Sequence, residues 1–188
     1  MQVFDFDNTI YHGESTFDFA MFIIKRKKSL LKCAPGITLL LIKYKRCKMN
    51  ALEFQTELEK FTGPFLQNKK FIKKSVQDFW QKNRKKLDQN IIKKIKKNDV
   101  ILTCSPSFLI KEIENDLNTK NIVATEIDID EGKIHFLNFG KNKVKIFQEK
   151  FPKKKIQTVY TDSYNDKALM DVAKNVYLVK KGKCTKIK

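Results

Sequence analysis

From Val100 onward the chain alternates short apolar runs with amphipathic stretches, and this alternation limits the fold more than any other feature. Val100 to Thr103, Ile156 to Tyr160 and Val176 to Val179 are brief apolar runs of the kind that form buried strands. Between them, Leu109, Ile113 and Leu117 recur at helical spacing after Pro106, a residue suited to a helix's first turn. Val144 to Phe151 and Asp166 to Lys174 also read as helices, while Ile122 to Ile129 and Lys133 to Leu137 flank Glu131-Gly132 as a hairpin would. Strands joined by crossover helices pair in parallel, so the expectation is an α/β protein, a parallel sheet with helices on both faces.

Ahead of this region stand one strand-like run, Gln2 to Phe6, and a long helical stretch. Ser15 or Thr16 can cap a helix whose apolar face holds Phe17, Phe19, Ala20, Phe22 and Ile23. Pro35-Gly36 interrupts the pattern, and Ile37 to Met49 resumes it. Asn50 and Glu53 look like a capping pair for a helix with Leu52, Phe54, Leu58 and Phe61, ended by Gly63-Pro64. Phe65, Phe71, Ile72, Val76, Phe79 and Trp80 follow at helical spacing, which favours packed core over a base-stacking platform. Asp88 can cap Ile91 to Lys97.

The 188 residues carry 39 Lys and Arg against 21 acids, a formal net charge of +18. Such a balance favours anionic partners, among them phosphate esters, nucleic acid and anionic membranes. Only Arg26, Arg46 and Arg84 are arginines, and a nucleic-acid reader relies on the two-point fork of Arg, so specific nucleic-acid binding is not expected. Cys33, Cys47, Cys104 and Cys184 are scattered, with neither zinc-ligand nor disulfide-framework spacing. Ile37 to Ile42 is far short of the ~20 apolar residues of a membrane span, and the first strand begins where a signal peptide would lie. A reduced, cytoplasmic protein is expected.

In open parallel sheets, ligands bind at the carboxyl ends of the strands. Asp5, Asp7 and Thr9 follow the first strand-like run, Thr103, Cys104 and Ser105 the next, and Asp162 and Asp166 follow Ile156 to Tyr160. Two carboxylates two residues apart on extended chain point the same way, so Asp5 and Asp7 can share one reaction centre. Converging carboxylates repel one another, and a hard divalent cation such as Mg²⁺ relieves this while keeping several waters. A carboxylate can also attack phosphorus to give an aspartyl-phosphate.

Asp5-Phe6-Asp7-Asn8-Thr9 resembles the D-x-D-x-T signature of the haloacid dehalogenase-like phosphohydrolases. Ile101-Leu102-Thr103 looks like that family's second motif, Lys143 stands at the expected place of its third, and Asp162 to Asp166 is similar to its D-x-x-x-D fourth. The resemblance spans nearly the whole chain, in family order. It implies a Rossmann-like doubly wound core with an inserted all-helical cap: residues 1–14 and 88–188 as core, 15–87 as cap. It implies that Asp5 is the nucleophile and that Asp7 protonates the leaving oxygen and then activates water. Mg²⁺ would be held by Asp5, the Asp7 carbonyl and Asp162, with Asp166 in support. Thr103 and the Cys104 amide would bind phosphoryl oxygens, and Lys143, flanked by Lys141 and Lys145, would neutralise the gathered charge. Asn8, Thr9 and Glu14 complete the substrate side.

A cap at this place is similar to that of phosphoserine phosphatases, and Glu14 falls where those enzymes meet the substrate's amino group. The chain departs from them in having Glu53, Phe54, Glu57, Leu58 and Lys60 where they offer an arginine, Thr161 before Asp162, and Thr103-Cys104-Ser105 in place of Ser-Gly-Gly. The implied activity is therefore Mg²⁺-dependent hydrolysis of a small phosphorylated metabolite, with phosphoryl transfer to another acceptor sharing the first half-reaction. Met21 to Asn50 holds nine basic residues and no acid. A basic, apolar helical pair can lie on an anionic membrane, and some relatives dephosphorylate phosphatidylglycerophosphate, so a lipid-phosphate phosphatase at the membrane surface is the alternative. A non-catalytic basic binding protein is a weaker one, having no use for ordered acids. Oligomeric state is not readable.

Overall fold

The computed structural model of the protein describes residues 1–45, 53, 55–57, 59–60 and 68–188. Its centre is a seven-stranded sheet in the order β4-β3-β2-β1-β5-β6-β7. The strands are β1 (Gln2–Phe4), β2 (Val100–Pro106), β3 (Ile122–Ile127), β4 (Ile134–Phe136), β5 (Thr158–Thr161), β6 (Asn175–Lys180) and β7 (Lys183–Lys186). The five inner strands run parallel, and β4 and β7 close the two edges antiparallel. The expected hairpin is the β3–β4 pair.

β1 is the middle strand, with Val3 opposite both Val100 and Val159. The chain leaves β1 for one side of the sheet and comes back on the other at β5, so strand order reverses beside β1. That reversal opens a crevice at the carboxyl ends of β1, β2 and β5.

Alternation along each inner strand divides the core between the two faces. Val3, Val100, Leu102, Val159 and Val176 pack with Phe147, Leu169 and Met170 from α6 (Lys141–Lys150) and α7 (Lys167–Val172). Phe4, Ile101 and Val179 face the other way, onto Ile23, Ile72, Phe79, Trp80 and Leu109. Those residues belong to α1 (Ser15–Arg26), α3 (Lys69–Asn83) and α5 (Ser107–Ile110). Trp80 is fully buried, meets Phe6 and Tyr11 edge-on and donates its indole N–H to the Leu109 carbonyl at 2.7 Å.

Several elements differ from expectation. α2 (Ala34–Lys45) contains Pro35-Gly36 instead of starting after it, because a proline in the first helical turn has no partner for its missing N–H anyway. The interruption lies earlier, in the 3-10 turn Lys28–Cys33. Asp88 does cap a helix, but α4 is only Gln89–Ile92. The helix expected through Leu117 changes after Ile110 to the 3-10 segment Lys111–Asp116. The expected helix with Leu52, Phe54, Leu58 and Phe61, its Gly63-Pro64 end and Phe65 lie outside the described residues, apart from a few positions. Two of these, Gln55 and Glu59, bond the backbone of Ile134 on edge strand β4.

The helical excursion starts and finishes side by side. Tyr11 bridges Leu87, His12 donates its N–H to the Lys86 carbonyl, and Asp88 donates to that of Ile10. No helix among the described residues is long and apolar enough to cross a membrane.

Candidate active site

Asp5 and Asp7 follow β1 in a turn in which the Phe6 carbonyl accepts the N–H groups of Thr9, Ile10 and Tyr11. Asn8 takes a positive φ of 56°, a conformation Asn tolerates better than most residues, and its N–H goes to the Gly13 carbonyl. The Asn8 side chain donates to Glu14. Asp5 donates its N–H to Tyr160 on β5 at 2.9 Å, so β5 delivers Asp162 beside it.

Lys143 lies in the first turn of α6 and reaches across the sheet end, its Nζ 2.7 Å from Asp5 and 2.8 Å from Asp166. Lys141 and Lys145 are exposed while Lys143 is buried. Thr161 donates a further bond to Asp166 at 2.9 Å. Asp166 is thus tied to Lys143 and Thr161, behind Asp5.

Burial pushes Asp5 well above the usual carboxylate range; Lys143 pulls it back, while Asp166 and Asp162 push it further up. Burial also opposes the charge on Lys143, but Asp166 and Asp5 more than offset this and hold it protonated. Asp7 is pushed up to about 6, first by burial and then by Glu14, against hydrogen bonds from Ser105 and Ser15. Asp162 is likewise raised to about 6 by burial, Glu14 and Asp166. Asp5, Asp7, Asp162, Asp166 and Glu14 therefore act on one another as a cluster of negative charge, and among the described residues Lys143 is the one buried lysine that balances it.

That excess of negative charge fits a hard cation. Among the described residues no three His, Cys, Asp or Glu side chains form a ready cage. Mg²⁺ needs only one or two carboxylates, because it retains several waters. Asp5 and Asp162, with the backbone carbonyl of Asp7, would supply donors of that kind.

Thr103 lies on β2 just past Ile101, which pairs with Phe4. It is fully buried, and its hydroxyl accepts the Ser105 N–H at 3.0 Å. Cys104 packs partly against Leu40, Ile134 and Leu137, where α2 meets the β3–β4 hairpin. Thr9 is buried, and its hydroxyl has no partner among the described residues. His12 is exposed and its side chain pairs with Asp88 at 3.3 Å.

Four polar groups here had been given no part in the chemistry, although Ser15 or Thr16 was expected to cap α1. Ser105 donates to Asp7 Oδ2 at 2.6 Å and lies within 2.9 Å of the Ser15 and Thr16 hydroxyls. Neither Ser15 nor Thr16 caps α1, whose N-cap is Glu14 without a side-chain bond; Asp7 instead accepts the Ser15 N–H at 2.6 Å. The fourth, Asn138, is buried and ties the Thr103 and Val123 carbonyls together. The one sequence signal for Ser105 was the departure of Thr103-Cys104-Ser105 from the Ser-Gly-Gly pattern noted above.

A search of curated proteins returned no significant match. Among solved structures, a Bordetella pertussis Tohama I protein of unknown function is similar over 91% of this chain and 85% of its own, with TM-score 0.76 and 18% identity. A phosphoserine phosphohydrolase-like protein from Francisella tularensis subsp. tularensis SCHU S4 has TM-score 0.63 and 20% identity, covering 94% of this chain and 86% of its own. Phosphoserine phosphatase from T. onnurineus has TM-score 0.58 and 17% identity, with 94% and 81% covered. At these identities the likeness is one of fold. The family model for haloacid dehalogenase-like hydrolases matches residues 3–171. Since that match runs from the strand before Asp5 to the helix after Asp166, the chain belongs to the haloacid dehalogenase-like hydrolases.

Proposed function

We propose that the protein is a phosphatase that hydrolyses a small phosphorylated metabolite with Mg²⁺, through an aspartyl-phosphate (acyl phosphate) on Asp5. The observation that carries this is the Asp5–Lys143–Asp166 triad beside Asp7 and Asp162 at the switch point of the sheet.

In the first half-reaction an Asp5 oxygen bonds to phosphorus, and the bond from phosphorus to the leaving oxygen breaks with its electron pair. That oxygen takes the proton of Asp7. In the second, water attacks phosphorus and gives a proton to Asp7, orthophosphate departs, and the Asp5 carboxylate is restored. Burial raises Asp7 to about 6, so a useful share of it is protonated near neutral pH, as an acid that later serves as base needs to be. Lys143 balances charge between Asp5 and the phosphoryl group, and the Thr103 hydroxyl and Cys104 amide hold phosphoryl oxygens. Bound at Asp5, Asp162 and the Asp7 carbonyl, Mg²⁺ would supply positive charge to the phosphoryl oxygens. Residues 15–87 act as the cap that selects the leaving group, with Asn8, Thr9 and Glu14 at its base.

Phosphate release from a panel of phosphomonoesters is the test, with an Asp5→Asn control. Turnover should vanish with EDTA and fall at least about 1,000-fold in the variant, as expected for loss of a nucleophile. Equal release by both proteins would end the reading.

One observation favours a second reading, action at an anionic membrane surface. Leu31, Leu39 and Ile42 are exposed on one basic, acid-free stretch, whose inner face carries Leu40 against the hairpin beside Cys104.

A further inference from the structure

Asp7 is held by groups that play no part in the chemistry above. Its Oδ1 accepts the Ser15 N–H and its Oδ2 the Ser105 hydroxyl, both at 2.6 Å. Ser105 Oγ also lies 2.8 Å from Ser15 Oγ and 2.9 Å from Thr16 Oγ1. Ser105 and Ser15 are buried, so bulk water does not compete for their hydroxyls.

A hydroxyl has one proton and two lone pairs. With the Ser105 proton committed to the Asp7 carboxylate, Ser15 and Thr16 must both donate to Ser105. That single arrangement satisfies every member of the cluster. The cluster joins three elements: Asp7 after β1, Ser105 at the end of β2, and Ser15 and Thr16 in the first turn of α1. Ser105 is itself anchored, through its N–H on the Thr103 hydroxyl.

We propose that Ser105 is a positioning residue for Asp7, fixing the plane of its carboxylate and tying it to the turn where the helical excursion begins. This rests on the acid role given to Asp7 above. A shift of the first turn of α1 then moves Asp7 with it, so the helices over the site and the aim of the proton donor are set together.

Phenyl phosphate and 4-nitrophenyl phosphate provide the test, since they are close in shape but differ in how much the leaving oxygen needs a proton. kcat/KM reports only the steps up to phosphorylation of Asp5. Ser105→Ala should lower it about tenfold for phenyl phosphate and less than about threefold for 4-nitrophenyl phosphate, a fraction of what full general-acid catalysis contributes. Ser105→Thr should keep the wild-type ratio, and Asp7→Ala should distort it more than Ser105→Ala does. Equal losses on both esters in Ser105→Ala, with Asp7→Ala still discriminating, would overturn the proposal alone. No discrimination in Asp7→Ala would overturn the acid role and the proposal together. If Ser105→Ala does not fold, Thr16→Ala decides: a shift of the ratio in the same direction supports the proposal, and an unchanged ratio overturns it.

Discussion

Lys143 stands between Asp5 and Asp166 with its ammonium group out of reach of bulk water. Removing one partner from a buried ionic cluster leaves uncompensated charge, which costs about 3–5 kcal/mol. Lys143→Met keeps the length of the side chain and should lose that much in urea unfolding of the metal-free protein. The additional change Asp166→Asn should restore part of the loss, since it removes one stranded carboxylate. A Lys143→Met protein as stable as the wild type would show that Lys143 is not the balancing charge. From the sequence, Lys143 stood out among Lys141 and Lys145 only through the family resemblance; burial is what separates the three. The Ser105 cluster was less legible still. Its members lie up to 98 residues apart, and a serine before a proline reads locally as the end of a strand.

At the scale of elements, apolar pattern and visibility went together. β1, β2, β5 and β6 read as strands because each carries a run of apolar residues that ends up in the core, whereas β7 did not. Its Lys183-Cys184-Thr185-Lys186 is a polar edge strand, and edge lysines deter pairing with other chains. The turn before it was equally quiet: Lys181 and Gly182 both take positive φ, as in a tight two-residue hairpin, and a Cβ on Gly182 would stand 2.6 Å from an Asp88 oxygen. α2 has the opposite character, with apolar residues facing outward. Leu39 and Ile42, three apart, share a face and are 53% and 42% exposed, and Leu31 in the preceding turn is 62% exposed. If this face meets membranes, the protein should sediment with vesicles containing phosphatidylglycerol at low salt and not with pure phosphatidylcholine. Replacing Leu31, Leu39 and Ile42 with Ser should weaken the association at least about tenfold. Protein left in the supernatant at low salt would remove the membrane reading.

The whole molecule carries a strong positive charge around an acidic site, and the two respond to pH separately. Asp162 ordinarily titrates at 3.8 but is raised to about 6 when folded. A raised carboxylate favours the folded state below its unfolded pKa, and that contribution is lost as pH rises through the folded value. Asp162→Asn removes the buried charge, so it should raise the melting temperature of the metal-free protein by about 3 °C near pH 7.5. Well below pH 4, where both proteins are neutral at this position, the difference should disappear. A lower melting temperature for the variant at both pH values would contradict this.

The central place of β1 also bears on how the protein is made. Val3 pairs with Val100 on one side and Val159 on the other, so a ribosome releases β1 long before either neighbour exists. At ordinary elongation rates that wait is on the order of 10 s, during which Phe4 and Phe6 have no sheet to join. The helices of the excursion emerge in that interval, and α1 and α3 bring Phe19, Phe79 and Trp80, which share a cluster with Phe4 and Phe6 in the finished protein. The helices of the excursion thus reach the nascent strand before its neighbours in the sheet do, and the acids beside it gain their lysine only when α6 has been synthesised.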